Sequence, residues 1–586
     1  MLEPRRLPEA THAAFDDAHP IPDNFGANLF RADPGFDPLL DLYLPRELAA
    51  HLRPHLDRLG SLAGGRLDEL ARTADLNPPE LSVRTRSGKD LQRIVKHPAY
   101  IELERTAYSD YGLAALSHRG GVLGWSQPMP GAAKYALTYL FVQAEFGLCC
   151  PVSMTDSLTR TLRKFGEPEL VSRFLPALTS LDFDQMVQGA MFMTEQGAGS
   201  DVGATATRAW QDDDGNWRLE GDKWFCSNPD AGLAMVLARP DGAQAGTRGL
   251  TLFLLPRVLD DGTPNHFRIL RLKDKLGTRS MASGEIRLEG AIAYPVGDLG
   301  RGFVQMTDMI NNSRLSNGVR AAGLMRRALT EALFISRNRE AFGRKLIDLP
   351  LMRRQLAKMM VWTEQARTFV FQTAEALRRA DSGDEEGRRL ARILTPLIKF
   401  RACRDARKVT GDAMEVRGGC GYIEEWGDAR LVRDAHLGSI WEGTSNIVAL
   451  DVLRAIRKED TLNALDRHVA QQLREAELPA ALQKSFENAW AKVRQLATEA
   501  AKAPGESLAR QAASGLYHLV SATSMAWEAR RAEGDGAGRR LLLAQLVLRH
   551  RVLPRDPLVN EADDAGLLDQ LLSEAPMAID SVPALI

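Results

Sequence analysis

The stretch Ile440-Trp441-Glu442-Gly443-Thr444-Ser445-Asn446 is the one around which the rest of the chain is organised. Its glutamate stands between a large aromatic residue and a glycine, and glycine permits a positive φ or a close approach to a ligand. Three small polar residues follow, which are typical helix caps, so the pattern predicts a tight turn before a helix. A carboxylate kept from water has a raised pKa and is a stronger base at neutral pH. An exposed glutamate at a helix start is the plainer alternative.

Composition excludes several broad classes of protein. The 586 residues exceed a single core, so several domains are expected. With 44% hydrophobic residues, 26% charged residues and a net charge of −1, nothing global indicates nucleic-acid or membrane binding. The five cysteines show no zinc spacing, which predicts no metal site and a reducing compartment. The start, MLEPRRLPEATHAAF, lacks an apolar signal segment, and no long apolar run follows. The sequence therefore predicts a cytoplasmic protein without a membrane span.

Periodicity divides the chain into four predicted regions. Residues 1–190 comprise an extended arm, rich in Pro, Asp and Asn, followed by a helical domain. The arm is expected to pack on a neighbouring subunit or to form a loose tail. Residues 191–300 contain short, β-rich runs such as LTLFLLP, bounded by Gly, Asp and Pro. Residues 301–456 show the apolar spacing of a helix bundle, and residues 457–586 are predicted to be an appended helical domain.

Three stretches together resemble the signatures of one enzyme family. MTEQGAGSDVGATATRA at 193–209, RNREAFGRKL at 337–346 and IWEGTSNI at 440–447 are similar to motifs of the acyl-CoA dehydrogenases. Finer features resemble the adaptive-response, AidB-type branch of that family, and the likeness covers roughly residues 20–455. The branch motifs stand in family order: ADLNPPEL, CPVSMT, GDKWFCSN, RLKDKLGTRS, AMEVRGGCGY and WEGTSNIVALDVLR.

The resemblance implies an α+β fold that is mostly α. It implies an N-terminal helical domain, a middle β-barrel and a C-terminal four-helix bundle, which is the order that periodicity also predicts. Relatives are usually homotetramers that bind FAD without a Rossmann domain. In agreement, GAGSD at 197–201 and GGCGY at 418–422 lack a GxGxxG pattern between a strand and a helix.

The resemblance also implies which residues hold the flavin. Thr194 would bond the polar edge of the ring, Ser200 would meet phosphate, and Phe225 stands where many relatives have Trp. Arg339 would reach the pyrophosphate of a neighbouring subunit's FAD with its guanidinium. Glu415 departs from the Gln of many relatives. The full expected set is Met191, Phe192, Met193, Thr194, Gly199, Ser200, Phe225, Cys226, Ser227, Arg339, Phe342, Gly418, Gly419, Trp441, Gly443, Thr444 and Asn446.

Glu442 matches the catalytic base of the family. Its implied role is to remove an α-proton from an acyl thioester while the β-hydride moves to the flavin. The Glu442 backbone N–H and a flavin hydroxyl would hold the thioester carbonyl. Ser200, Arg314 and Trp441 are the expected substrate contacts. Some branches carry the base on an earlier helix, where this chain has Ser313, so that route is predicted to be closed.

Two functions of different classes follow from these patterns. The first is an FAD-dependent acyl-CoA dehydrogenase that passes electrons to an electron-transfer flavoprotein or another acceptor. The second is a low-turnover flavoprotein that binds acyl chains or DNA, because the branch is associated with the response to alkylation. Within residues 457–586 the only obvious basic cluster is Arg530, Arg531, Arg539 and Arg540, so DNA binding is not favoured.

Overall fold

A computed structural model describes residues 21–532, 536–556, 558, 565–573 and 575–585. The first part of the predicted arm, residues 1–20, lies outside the described residues. The N-terminal region contains a hairpin of β1 (Glu80–Arg84) and β2 (Asp90–Val95). Its helices are α1 (Asp37–Tyr43), α2 (Arg46–Gly64), α3 (Arg66–Leu76), α4 (Pro98–Arg105), α5 (Gly131–Phe141), α6 (Cys149–Phe165) and α7 (Pro168–Leu178).

The described part of the arm packs on its own chain. The Gly26 N–H donates to the Gly64 carbonyl at 2.7 Å, and the Leu29 N–H donates to Gly60 at 3.0 Å. A Cβ at position 64 would lie 1.8 Å from the Ala27 carbonyl oxygen, so only glycine fits there. A loose tail is therefore wrong for residues 21–36, and their contacts require no neighbouring subunit.

Two sequence predictions for the N-terminal region need correction. A helical pattern throughout this region is wrong, because Leu81 pairs with Ile94 in the β1–β2 hairpin. A Ser-Gly turn between polar residues is a hairpin signal, but strong helical patterns precede and follow it and favour a helical interpretation. The run AAKYALTYLFVQAEFGLCC at 132–150, whose apolar content predicts one buried helix, is also broken, because α5 stops at Phe141 and Cys149 and Cys150 begin α6.

Seven strands form the middle region, and five of them close into a barrel. The strands are β3 (Gly189–Phe192), β4 (Arg208–Gln211), β5 (Trp217–Ser227), β6 (Leu233–Pro240), β7 (Thr251–Pro256), β8 (Phe267–Leu272) and β9 (Ser283–Pro295). Pairing runs from β6 through β4, β5, β9 and β7 back to β6. Strands β3 and β8 join this ring by pairing with β6 and β9. Closure leaves the ring without free edges, and the predicted β-barrel is confirmed.

Long helices then form the bundle. They are α8 (Gly302–Asn338), α9 (Pro350–Asp381) and α10 (Glu385–Arg417), followed by α11 (Gly419–Tyr422), α12 (Asp428–Gly438) and α13 (Ser445–Glu459). Helix α10 packs on α8, α9, α12 and α13. The predicted apolar stripe on α8 from Leu315 to Leu333 is buried. A ribbon of β10 (Glu340–Ala341) and β11 (Arg344–Lys345) joins α8 to α9.

The appended region is helical, as predicted, and packs directly on the bundle. Its described helices are α14 (Thr461–Ala476), α15 (Ala480–Ala501), α16 (Ala509–Arg531), α17 (Ala537–Val547) and α18 (Ala565–Leu572). Helix α16 contacts α9, α10 and α13. Glu528 on α16 is fully buried, and it accepts hydrogen bonds from Tyr43, Thr368 and Arg540. One buried carboxylate thus joins the arm helix, the bundle and the appended region.

Within the described part of the chain, no helix combines the length and apolarity needed to cross a membrane.

Candidate functional site

Glu442 lies on the turn between α12 and α13, in a backbone conformation that is rare for a residue with a side chain. Its φ is +56°, and the following Gly443 has a φ of +98°. The Ser313 hydroxyl of α8 donates to Glu442 Oε1 at 2.9 Å. Oε2 is closed off from solvent and meets no hydrogen-bond partner among the residues that the structure describes. A non-glycine residue held at positive φ signals local strain of the kind that collects at functional sites.

Burial dominates the electrostatics of this carboxyl. Loss of hydration raises the pKa of Glu442, while the Ser313 hydroxyl and the cations Arg320, Arg314 and Lys399 oppose that rise. The Glu442 backbone N–H makes no hydrogen bond to any described residue. The loop therefore presents a carboxyl oxygen and an amide N–H, both without a partner in the described structure.

Arg314 and Lys399 hold the Glu442 loop through hydrogen bonds to its backbone carbonyl oxygens. Arg314 Nε donates to the Glu442 carbonyl oxygen at 3.1 Å, and its Nη1 contacts Asp451 at 2.7 Å. Arg392 also donates to Asp451, at 2.8 Å. Lys399 donates to the Gly443 carbonyl, and burial lowers its pKa to about 8. Arg314 thus links α8 to the Glu442 loop and to Asp451 of α13, and its predicted contact with substrate stays a prediction.

An aromatic wall stands beside the carboxyl. Trp441 stacks on Phe146, with ring centroids 5.9 Å apart. The guanidinium of the fully buried Arg320 lies 4.7 Å from the Trp441 ring centroid. Burial raises the pKa of the Cys150 thiol, and the neighbouring Arg320 and Ser227 oppose that rise. Cys150 therefore lies near Arg320, which covers Trp441 of the Glu442 loop, and near Ser227, a predicted flavin contact.

The first predicted flavin segment begins on β3. Met191 pairs with Met235, and the Thr194 carbonyl accepts from the Trp224 N–H at 2.8 Å, which ties this segment to β5. Gly199 and Ser200 are exposed, with open space where a Gly199 Cβ would stand. The neighbouring Glu195 is instead buried and bonded to Lys223 and Thr207. The loop is therefore anchored to the barrel through Thr194 and Glu195, while Gly199 and Ser200 face solvent.

The second segment presents an aromatic ring to solvent. Phe225 is 58% exposed, whereas Cys226 is fully buried. Strand alternation places Phe225 and Ser227 on the same face. Phe225 therefore offers an apolar ring on the outside of the barrel, 4.8 Å from Lys273 Nζ. Cys226 has its thiol inside the barrel core, where it serves packing.

The remaining predicted flavin residues lie far from Glu442 in the same chain. Arg339 caps the C-terminal end of α8, and its Nη1 donates to the Arg417 carbonyl at 3.3 Å, beside Gly418. At 1.5 Å per residue, Arg339 stands about 39 Å along α8 from Ser313. Phe342, next to it, is 92% exposed at a φ of +54°. The predicted residues therefore form two groups, one at each end of a long helix.

These residues fit a flavin on structural grounds. The Phe225 face and the partly buried Met191, Met193 and Trp441 offer apolar surface to an isoalloxazine ring. Thr194 and Ser227 add hydroxyls at the barrel. Glycines Gly197, Gly199, Gly418 and Gly419 have open space where a Cβ would stand, so the backbone there is accessible to an anion.

The capping prediction for the loop was only partly right. Helix α13 begins at Ser445 with Thr444 as its N-cap, but the Thr444 hydroxyl makes no capping bond. Ser445 Oγ instead accepts weakly from Arg404, at 3.4 Å. Asn446 is exposed. Whether Thr444 and Asn446 contact a cofactor stays a prediction.

Sequence reasoning missed several residues that the fold brings to the site: Asn317, Arg320, Lys399, Asp451 and Cys150. A signal existed for two of them. Ser313, Asn317 and Arg320 are spaced by four and three residues, which places polar side chains on one face of a helix otherwise rich in apolar residues. Lys399 and Asp451 carried no local signal, because their contacts join positions distant in the chain.

The predicted basic cluster does not form an open cationic surface. Arg530 pairs with Glu477 and Arg531 pairs with Glu475. Arg540 is buried against Glu528, and Arg539 donates to the carbonyl oxygens of Ser573 and Ala575. Each of these four guanidinium groups thus has a partner within the protein, and weak DNA binding stays a prediction.

Comparison with known proteins agrees with this geometry. Three family models match: the adaptive response protein AidB N-terminal domain at residues 21–185, the acyl-CoA dehydrogenase middle domain at 190–291 and the acyl-CoA dehydrogenase C-terminal domain at 300–457. The chain is 35% identical to the putative acyl-CoA dehydrogenase AidB of Escherichia coli, over 77% of this chain and 81% of that protein. It is 34% identical to acyl-CoA dehydrogenase family member 11 of Caenorhabditis elegans, over 76% and 73%.

A solved structure supports the same assignment. Caenorhabditis elegans ACDH-11, in complex with C11-CoA, superposes with a TM-score of 0.85 at 28% identity, covering 92% of this chain and 94% of that one. The chain belongs to the acyl-CoA dehydrogenase family, an oxidoreductase family. Within the family it belongs to the adaptive-response branch, which the N-terminal model and the Escherichia coli relative define.

Proposed function

We propose that the protein is an FAD-dependent acyl-CoA dehydrogenase that forms the α,β double bond of an acyl thioester, with Glu442 as base. The observation that carries this proposal is the Glu442 carboxyl, whose Oε2 is buried without a partner beside an unpaired backbone N–H. A base needs a free acceptor oxygen, and a developing thioester oxyanion needs a donor. The complex of ACDH-11 with C11-CoA supports an acyl-CoA ligand for the fold.

The chain's own residues would divide the work as follows. Glu442 takes the α-proton, and its raised pKa suits this task near neutral pH. Arg314 and Lys399 hold the loop so that the carboxyl keeps its place. Trp441 and Phe146 exclude water beside the reacting carbons. FAD, when bound, supplies the acceptor for the hydride that leaves the β-carbon.

We propose that each FAD is held by two subunits of a homotetramer. Thr194, Ser227 and Phe225 of one subunit would face the ring, while Arg339, Phe342 and Gly418 of another would meet the pyrophosphate. The separation of about 39 Å along α8 supports this, because two groups so far apart in one chain do not meet on one FAD. Arg339→Ala should lower FAD content while circular dichroism stays unchanged. Light scattering that shows an FAD-saturated monomer would exclude the shared site.

The domain boundaries, the cellular setting and the electron acceptor are further parts of this proposal. The divisions near residues 190, 300 and 456 are supported by the ranges of the family models. A cytoplasmic setting is supported by five cysteines that are all unpaired. An electron-transfer flavoprotein or another acceptor would remove the electrons.

The test is an anaerobic titration with acyl-CoAs of graded length, followed by flavin bleaching. The purified protein should be yellow and should release FAD, not FMN, on denaturation. At least one acyl-CoA should bleach the flavin. Tight binding of acyl-CoAs without bleaching would instead identify a flavin-bearing binding protein, and a colourless protein that takes up no FAD would overturn the proposal.

A further inference from the structure

One face of α8 carries three polar side chains in the interior of the protein. Ser313, Asn317 and Arg320 are spaced by four and three residues, so they lie on one face of the helix. Ser313 contacts Glu442 and Arg320 lies over Trp441, so Asn317 stands between two residues that flank the base. Arg320 is about 10 Å along the axis from Ser313. This face therefore leads away from the reacting carbons.

Arg320 is an unusual group to find at this place. It is fully buried, and its Nε donates to the Ser316 carbonyl at 3.3 Å. Its Nη1 is closed off from solvent with no hydrogen-bond partner. Among the described residues, no carboxylate lies within ion-pair distance of it. Its charge meets two aromatic rings and the field of the Glu442 carboxyl but no ion pair among the described residues, and a buried cation without a paired anion is unfavourable, so this position favours an anionic partner.

Other atoms on the same side are also unsatisfied. Asn317 is only 1% exposed, and both polar atoms of its side-chain amide are buried without a hydrogen-bond partner among the described residues. Trp441 Nε1, beside Arg320, has no acceptor either. A purely hydrocarbon acyl chain would leave all of these groups unpaired. A chain that ends in oxygen atoms would satisfy the donors, and a carboxylate matches the fork of a guanidinium.

We propose that Arg320 binds a carboxylate at the far end of the acyl group, so that the preferred substrates are CoA thioesters of short dicarboxylic acids. The inference rests on the proposed dehydrogenase function, and the reaction itself is unchanged: the α-proton goes to Glu442 and the β-hydride to FAD. Side chains on a helix lean toward its N-terminus, which brings the guanidinium back toward Glu442. That direction favours a short chain over a long one.

A competing role for Arg320 is to position Trp441 by stacking. The two roles differ in a measurable way. A positioning residue affects every acyl chain alike, whereas a carboxylate receptor changes the preference between a dicarboxylic and a monocarboxylic thioester of equal length. Because that preference is a ratio within one variant, any effect of Arg320 on the pKa of Glu442 cancels from it.

The experiment uses the FAD-loaded full chain carrying Glu442→Gln, so that ligands are not consumed. Calorimetry measures the binding of matched pairs: glutaryl-CoA with valeryl-CoA, adipoyl-CoA with hexanoyl-CoA and pimeloyl-CoA with heptanoyl-CoA. In at least one pair the dicarboxylic thioester should bind about tenfold to hundredfold more tightly, the range of a charge-assisted hydrogen bond. Flavin bleaching of the unsubstituted enzyme should show the same preference.

Substitutions locate the effect. Arg320→Met in the Glu442→Gln background should bring each ratio to about one, while Arg320→Lys should retain part of it. If Arg320→Met does not fold, Asn317→Asp offers a second route, because added negative charge should weaken only the dicarboxylic ligands. The matched control is Arg173→Met in α7, which removes a guanidinium stacked on Phe174 and on Tyr294 of β9 and should leave the ratios unchanged.

The outcomes are separable. Equal or tighter binding of every monocarboxylic partner overturns the proposal and leaves the dehydrogenase function standing. A dicarboxylic preference that survives Arg320→Met overturns the assignment of Arg320. Absence of binding by every thioester overturns the inference and the proposed function together.

Discussion

Two glutamates of this protein hold carboxyl oxygens that are closed off from solvent, and they differ in how completely those oxygens are paired. Glu528, which joins the arm, the bundle and the appended region, accepts from Tyr43, Thr368 and Arg540. The Glu442 carboxyl accepts one hydrogen bond, from Ser313, and its Oε2 has no hydrogen-bond partner among the described residues. The first carboxylate is surrounded by donors that favour its charge. The second is held in a strained turn with one side left free.

This difference distinguishes a carboxylate that stabilises the fold from one that is available for catalysis. A buried charge whose partners are complete stabilises a folded arrangement only while each partner is present. A buried carboxyl with a free oxygen is unfavourable in the folded protein alone and becomes useful when a substrate supplies the missing partner. Substitutions at the first kind of carboxylate should lower the free energy of unfolding, whereas substitutions at the second kind should lower the rate of flavin reduction.

The largest effect on stability is expected at the complete cluster. Arg540→Met leaves Glu528 buried with its main cation removed, which should lower the free energy of unfolding by about 3–5 kcal/mol. Urea denaturation measures this difference. The comparison variant is Glu442→Gln, which should be no less stable than wild type. Because burial raises the pKa of Glu442, the carboxylate form is disfavoured on folding, so the advantage of Gln should grow as pH rises through that pKa.

Moving the base across the site should restore part of the activity. Ser313 Oγ lies 2.9 Å from Glu442 Oε1, so Ser313→Glu in a Glu442→Gln background places a carboxylate close to the original one. We expect recovery of roughly tenfold over Glu442→Gln alone, a fraction of the contribution of a general base. Stopped-flow bleaching measures it. No recovery, with FAD content and fold intact, would show that the face of α8 cannot present a base here.

A smaller effect is expected on the pH dependence. The Ser313 hydroxyl favours the charged carboxylate and lowers the pKa of Glu442. Ser313→Ala should therefore raise that pKa and move the acidic limb of the kcat/KM profile to higher pH. The deprotonated base is the active form, so activity should fall most at low pH and approach wild type at high pH. A profile that moves to lower pH would contradict this account of the hydrogen bond.

The smallest effect is expected from the basic residues of the appended region. Arg530 and Arg531 are paired with glutamates, so changing both to Gln should alter neither flavin reduction nor binding to DNA at physiological salt. A gel shift at low and physiological salt checks this. A salt-sensitive shift that the double substitution abolishes would show that these ion pairs open to nucleic acid.

Sequence alone predicted the order of helical, barrel and bundle regions, because strand and helix periods differ clearly in long runs such as β9 and α8. The β1–β2 hairpin was not predicted, because its strands are only five and six residues long and lie between two helices. Glu442 and Ser313 were found through motifs with a fixed local spacing. Arg320 and Asp451 were not, because their roles depend on contacts with Trp441 and Arg392 that only the folded chain creates.

The central claim, that Glu442 is the base of an acyl-CoA dehydrogenase, is tested most directly by single-turnover flavin bleaching of wild type and Glu442→Gln. The measurement uses the best acyl-CoA from the length series, under anaerobic conditions. Both proteins should bind FAD and the thioester, and the bleaching rate of Glu442→Gln should be lower by about 10²–10⁴-fold or more. Equal rates of bleaching in the two proteins would contradict the account.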